Sequence, residues 1–585
     1  MMPPNITELR PDLKLLTKNF EGYKLSLETV PVIKHKLQPI QPNVIAPNVD
    51  QYSLLHATLY SLHNHLFKDP FEPYITYIID TSNIINKFVF NRETQRFFVG
   101  DNAQFQLPQS EDLDKIYNSS MKFISEQYVV VSTGSKNIYL IDTLERTNLN
   151  SWKIIFSQSV VENNNGFIIL DAHLEESNGQ KNVHCLLQHI EKNEKSFENR
   201  IDWIIIKQDS ELTWSLTKYK ELLGKGTLQY CALESTCRAV YIASDHKYKF
   251  KLSEEQIKQM QLNKSEKEIS FDDFINWHQS EEEVTILVTF KEFVDKKLLS
   301  VATTTDSLKI VYKTGEQSET LLELLEKVDV GLTTWSMVDA NILEIVLYKL
   351  ISKPWQNLTK EGEKVYKEIP NPIKVSEIHE KLKHLCSEDQ NEMSAMSSAP
   401  IQDEIDDCDF DADYDIKDWS LERLCPEENL ATHHVHIGSC GPLFKYSSEC
   451  NTPPFLTLRH DVDGLVWEMP KSDHNWPPKH IATLPAFGYV QASKQDKKFV
   501  SCSPDFNYSV ICNGNRHIFI YWGDDSRSYQ LQNRKSKQKM KVGTQKVITL
   551  DDAGDIIGLQ TENDIILVLT VNYIIALQLN FEMEP

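Results

Sequence analysis

The sequence predicts an all-β fold, a β-propeller with seven as the expected blade number, interrupted by a small antiparallel β-sandwich. Three observations carry this prediction. Short apolar runs separated by turn residues dominate the chain from about residue 70. They recur in triplets or quartets roughly 40 to 50 residues apart, which is the period of propeller blades. Between Leu252 and Trp419 the pattern breaks and another replaces it. A pair of β-sandwiches would also account for the strand density, because no Gly-His and Trp-Asp pair recurs at a fixed period.

The individual elements support the reading in chain order. Val129–Val131, Gly134-Ser135 and Ile138–Ile141 form one strand-turn-strand unit, and Ala239–Ala243 followed by Tyr248–Phe250 reads as another. Late in the chain Phe499–Cys502, Tyr508–Cys512 and His517–Trp522 form a triplet with Asn513-Gly514 as a hairpin turn. Ile556–Leu559, Ile565–Leu569 and Ile574–Leu579 form the next. SEEQIKQMQLNKSEKE after Leu252 reads as a charged helical boundary. IQDEIDDCDFDADYDIKD carries nine carboxylates against one lysine, so it repels itself and reads as a solvated tether. The predicted organisation is residues 1–268 as the first part of the propeller, 269–358 as the inserted module, 359–415 as an acidic flexible linker and 416–585 as the rest of the propeller.

Composition narrows the function. The 585 residues are 41% hydrophobic and 10% aromatic, enough for large cores. A net charge of −23 argues against general binding to nucleic acid or anionic membranes, both of which need basic surfaces. The ten cysteines form no CxxC pair, so neither a zinc ribbon nor a disulfide framework is expected. The N-terminus lacks an apolar leader pattern. Ile565–Leu579, the longest apolar run, is shorter than the roughly 20 residues of a membrane helix. An intracellular, reducing setting is the expectation.

In the middle module Val284, Ile286, Val288 and Phe290 alternate with Thr285, Leu287 and Thr289, and Leu308–Lys313 and Leu343–Leu347 alternate likewise. Three period-two strands argue for a thin sandwich anchored by Trp277, Trp335 and Trp355. The ordered set FINWHQSEEEVTILVTF, DSLKIVYK, LLELLEKV, TTWSMVDANILEIVLYK and PWQNL resembles a CS domain of the NudC family. On that resemblance Trp277 precedes the first long strand, Leu321 to Val328 is a Leu-rich strand, Trp335 and Asp339 mark a turn, and Trp355 closes the domain. Ile275 stands where a tyrosine often precedes the first Trp, and the usual glycine before the Leu-rich strand is missing. TLRHDVDGLVW and GYVQASKQDKKFVSCSPDFNYSVIC are similar to the corresponding part of a larger member of the same family, as is the order of regions. The resemblance implies a cytoplasmic and nuclear protein, with association to heat-shock chaperones and client proteins.

Local constellations carry little catalytic promise. His433, His434, His436 and Cys440 in THHVHIGSC could ligate a soft metal or simply decorate a strand. Asp411, Asp413, Asp415 and Glu422 fall at EF-hand positions, but Ile416 and Asp418 stand where a glycine and an apolar residue belong. RHDVD, residues 459–463, alternates His460 away from Asp461 and Asp463, so a turn network is favoured over an acid–base pair. NRKSKQKMK, with Arg534, Lys535, Lys537, Lys539 and Lys541, reads as a solvated loop, an import signal or a docking patch. Lys309, Lys313 and Lys349 could line a partner surface on the sandwich. No GxGxxG, P-loop, GxSxG or HExxH motif is present. The expected function is non-enzymatic, without cofactor or metal: a co-chaperone or client adaptor, or else a pure interaction scaffold.

Overall fold

The computed structural model describes residues 5–99, 103–108, 117–160, 166–177, 179–192, 196–251, 275–290, 298–313, 317–339, 342–360, 367–368, 418–494, 496–514, 516–523, 531–532 and 539–579. The chain divides into two compact units, Met1–Leu252 with Asp411–Pro585, and Ser253–Phe410.

Among the described residues the larger unit contains seven sheets, numbered here as blades in chain order. Blade 1 is built from Phe67–Lys68, Ile75–Ile79, Ile84–Asn91 and Arg96–Phe98, and blade 2 from Ser120–Phe123, Tyr128–Ser132, Asn137–Asp142 and Lys153–Ser159. Blade 3 takes Ile168–Ser177, Gln180–Lys192, Phe197–Gln208 and Trp214–Gly224, and blade 5 takes Phe444–Tyr446, Phe455–His460, Asp463–Glu468 and Lys479–Leu484. Blades 6 and 7 begin at Lys497–Cys502 and Ile556–Thr561. Blade 4 is split: Leu228–Leu233 and Val240–Ser244 precede the inserted unit, whereas Trp419–Cys425 and Leu430–Gly438 follow it.

Alternation makes each strand two-faced, so every sheet must bury both faces against neighbours. The apolar clusters record this. Tyr77 of blade 1 packs with Val129 and Trp152 of blade 2, Val130 of blade 2 with Val183 and Ile204 of blade 3, and Trp203 of blade 3 with Ile242 of blade 4. Leu421 of blade 4 meets Leu456 and Trp467 of blade 5, Val466 of blade 5 meets Ile511 of blade 6, and Ile520 of blade 6 meets Val568 of blade 7. The seventh cluster joins Leu567 and Ile574 of blade 7 to Phe88 and Phe90 of blade 1, which closes the ring.

The N-terminal segment performs the closure. Val32–Lys36 pairs antiparallel with Tyr573–Gln578 and completes blade 7. Asn5–Thr7 and Phe20–Leu25 add parallel outer strands to blades 4 and 6. Turn chemistry is specific where space is tight. Gly134 has φ +79°, and a Cβ there would lie 1.7 Å from the Tyr117 carbonyl oxygen.

Three sequence expectations need correction. Ala239–Ala243 and Tyr248–Phe250 are not one hairpin. Val240–Ser244 pairs with Trp419–Cys425 across the insertion, and Lys249–Phe250 joins the edge of blade 3 beside Trp214–Gly224. Lys539 and Lys541 belong to strand Lys539–Thr549 rather than a loop, because that strand runs long enough to take Phe20–Leu25 on its outer edge. Pairing in the smaller unit continues past residue 358, where Lys367–Glu368 lies parallel to Ile275–Gln279.

The smaller unit is a two-sheet sandwich. Val328–Asp339, Ile342–Lys349, Glu283–Thr289, Ile275–Gln279 and Lys367–Glu368 form one sheet, and Leu299–Thr303, Ser307–Lys313 and Gln317–Glu323 form the other. Its core cluster is drawn entirely from residues 275–358, including Trp277, Ile286, Ile310, Ile345 and Trp355.

Candidate functional site

The signature residues divide into anchors and edges. Trp277 and Trp355 are 1% and 3% exposed and fill the sandwich core, whereas Trp335 is half-buried against it. Trp335 and Asp339 share strand Val328–Asp339 rather than marking a turn, since Thr333, Trp335 and Met337 alternate inward without a break. The Leu-rich stretch is also divided, ending as a strand at Glu323 and resuming at Val328, with Leu324 bridged to Thr359.

Lys349 does not face a partner. It is 8% exposed, and its ammonium donates to Gln279 Oε1 at 2.9 Å, the Ser280 carbonyl at 2.8 Å and the Lys353 carbonyl at 3.0 Å. Gln279 Oε1 also accepts the Trp355 N–H at 2.8 Å, and Gln279 Nε2 donates to the Trp355 carbonyl at 2.8 Å. The lysine therefore secures the loop that carries the closing tryptophan. A lysine at the end of an alternating strand reads as surface in a sequence, and only the returning loop encloses it. Lys349→Met orphans buried acceptors and is expected to cost the sandwich about 2 kcal/mol. Hydrogen exchange of residues 275–349 in the full chain measures it, and unchanged protection would refute the role.

Lys309 lies half-buried on the outer face of the three-stranded sheet, opposite Leu321, and so occupies a different sheet from Lys349. Lys313 is in the same strand as Lys309, but the side chains of Lys313, Asp339 and Lys539 lie outside those described. Arg534, Lys535 and Lys537 lie outside the described residues, as do residues 369–417 with the acidic run and the charged boundary after Leu252. Lys541 is exposed beside Asn19 and Phe20.

Sequence reasoning missed an exposed apolar feature at the edge of the sandwich. Val328–Asp339 is the end strand of its sheet, and between Asp329 and Thr334 its register against Ile342–Lys349 slips. Gly331 sits in this bulge, its N–H donating to Asp329 Oδ1 at 2.8 Å. The bulge changes the inward parity from Val328 to Thr333, Trp335 and Met337, which turns Val330, Leu332 and Val338 outward at 43%, 55% and 61% exposure. A glycine inside an otherwise regular strand was the available signal.

The remaining candidates take ordinary structural places. His434 pairs with Glu422 at 3.2 Å, His436 with Asp418 at 3.4 Å, and His433 lies tilted against the Trp476 ring, so each imidazole has its own partner along strand Leu430–Gly438. Burial and the Arg423 charge lower the His433 pKa. No group of three or more His, Cys, Asp or Glu residues among the described residues could hold a metal. Glu422 is buried in a strand, away from any EF-hand loop geometry. RHDVD forms the tight hairpin between Phe455–His460 and Asp463–Glu468, with Arg459 Nε donating to the Asp461 carbonyl and Asp463 Oδ1 accepting the Ala486 N–H.

Comparison with known proteins finds relatives of the sandwich and of the whole chain. The CS domain family matches residues 274–349. NudC domain-containing protein 1 of Xenopus tropicalis is 30% identical over 591 residues, covering 98% of this chain and 98% of the relative. The protein of that name from Mus musculus is 30% identical over 589 residues, covering 98% and 99%. Among solved structures, the nuclear movement protein from E. cuniculi GB-M1 is 20% identical with a TM-score of 0.13, covering 15% of this chain and 98% of that one. The Cps50 (Swd1) β-propeller domain of Myceliophteria thermophila is 8% identical with a TM-score of 0.26, covering 78% and 95%. With a CS sandwich inserted into a split propeller blade, and with 30% identity across 98% of both chains, this chain belongs to the NudC domain-containing protein 1 family.

Proposed function

We propose that the chain is a non-enzymatic co-chaperone or client adaptor of the cytoplasm and nucleus. In this reading the CS sandwich engages a heat-shock chaperone or an extended client segment, and the propeller serves as a platform for a second protein. The observation that carries it is the bulged end strand Val328–Asp339, with Val330, Leu332 and Val338 turned outward. An end strand offers backbone donors and acceptors to an extended chain, and alternate apolar side chains favour non-polar segments.

The test uses the full chain. At several-fold excess it is expected to suppress light scattering from a heated model client, and the triple variant Val330→Lys, Leu332→Lys, Val338→Lys is expected to lose at least half of that effect. Hydrogen exchange confirms that the variant remains folded. No suppression by the parent chain would reject the chaperone reading, and undiminished suppression by the variant would move the site elsewhere. If partners captured by the parent chain all persist on the variant and no suppression is found, a pure scaffold remains.

A further inference from the structure

The inner wall of the seven-bladed unit carries charges that the adaptor reading does not use. Ser120–Phe123, Ile168–Ser177, Leu228–Leu233 and Phe444–Tyr446 are the inner end strands of blades 2 to 5, and the inner strands of blades 2, 3 and 4 neighbour one another in turn. Met121 and Phe123 enter the core between blades 1 and 2, so Lys122 leaves on the opposite face toward blade 3. Its Nζ lies 3.2 Å from Asp171 Oδ1, an ion pair without good hydrogen-bond geometry. Asp171 Oδ2 accepts the Leu233 N–H of blade 4 at 2.9 Å and lies 3.2 Å from His173 Nε2. Phe444 and Tyr446 enter the core between blades 5 and 6, so Lys445 turns the other way, within electrostatic reach of Lys122, Cys231 and Asp171.

Lys445 is an exposed side chain on the wall of this space, and among the described residues no carboxylate lies within ion-pair distance of its ammonium. The protein surrounding it and the Lys122 charge both lower its pKa. Burial raises the Cys231 thiol, and raises that of Cys450 to about 12, so neither supplies a negative charge at neutral pH. One end of this space is closed. The segment after Phe444–Tyr446 crosses from blade 5, where Cys450 Sγ donates to the Phe123 carbonyl at 3.4 Å and Asn451 Nδ2 to the Ile124 carbonyl at 2.9 Å. Asn451 Oδ1 accepts the Leu174 N–H at 2.9 Å, and the Pro454 carbonyl accepts the Tyr230 hydroxyl at 2.6 Å.

Two ammonium groups thus face one carboxylate that Lys122 and the Leu233 N–H already engage. A surplus positive charge in a solvent-accessible space walled by protein favours an anion, and two lysines on different blades suit one with several oxygens. We propose that the closed end of this axial space binds a small phosphate-class anion through Lys445 and Lys122.

The test titrates inorganic phosphate and pyrophosphate into the full chain at constant ionic strength, with sodium chloride as the reference, and follows heat and thermal unfolding. Binding to the parent chain is expected, weakened at least about tenfold by Lys445→Gln, since a charge-assisted hydrogen bond is lost. Lys445→Arg keeps the charge and is expected to retain binding, and Lys541→Gln, an exposed residue on a strand of blade 6 remote from the inner strands, is expected to leave it unchanged. Because Lys445 holds no ion pair, Lys445→Gln is expected to unfold at the parent temperature in chloride. Absence of binding to the parent chain, or equal binding by the parent and Lys445→Gln, would overturn the proposal. Because the client assay does not involve these residues, the two tests fail independently.

Discussion

Arg423→Met is expected to cost the seven-bladed unit about 3–5 kcal/mol, because it strands a carboxylate in the protein interior. Glu234 is 0% exposed and Arg423 5% exposed. The guanidinium meets the carboxylate twice, Nε to Oε1 at 2.9 Å and Nη2 to Oε2 at 3.1 Å. Tyr241 and Thr236 donate to the same carboxylate at 3.0 Å and 2.6 Å, so its geometry is held from several directions. The pair also bridges the insertion, since Glu234 follows the first strand of blade 4 and Arg423 lies in the first strand after the inserted unit. Removing the arginine leaves an unpaired buried charge, whereas removing both charges removes the penalty with its cause. Arg423→Met with Glu234→Gln is therefore expected to be clearly less costly than Arg423→Met alone. Hydrogen exchange of residues 228–244 and 419–438 in the full chain reports the loss. A cost below about 1 kcal/mol for the single variant would show that the pair does not hold the split blade together.

Trp277→Ala is expected to unfold the sandwich and leave the propeller protected. Trp277 is 1% exposed and sits at the centre of a core drawn from two sheets of five and three strands. Truncating a buried tryptophan costs about 3–5 kcal/mol, much of the stability of a domain of this size. The clusters that close the propeller contain no sandwich residue, so strands such as Ile565–Thr570 are expected to keep their exchange protection. Loss of protection in both units would show that their stabilities are coupled. If the variant retained protection at residues 275–349, Trp277 would not be the anchor that its burial indicates.

Much of the architecture was legible in the chain because it follows from local periodicity. Alternation at Val284–Phe290, the Asn513-Gly514 turn and the apolar triplet from Ile556 to Leu579 each predict strands without knowledge of their partners, and each is a strand or turn in the fold. The break after Leu252 was visible for the same reason: strand-forming residues gave way to charge. The candidate site was less legible. Lys309, Lys313 and Lys349 look equivalent along the chain, but the last is enclosed by a loop that returns from residue 353. Val330, Leu332 and Val338 look like core until the bulge at Gly331 reverses their parity.

What the sequence determined by itself is the strands marked by local alternation, such as Glu283–Thr289 and Ile565–Thr570, and the break that sets off the inserted module, since both depend on residues close together in the chain. Only the tertiary structure decided which strands pair. The partner of Val240 is Leu424, the last blade is completed by residues 32–36, and Lys122 meets Asp171 across two blades. Such pairings depend on ring closure, in which each sheet must cover both faces at once, and no local pattern in the chain records that global condition.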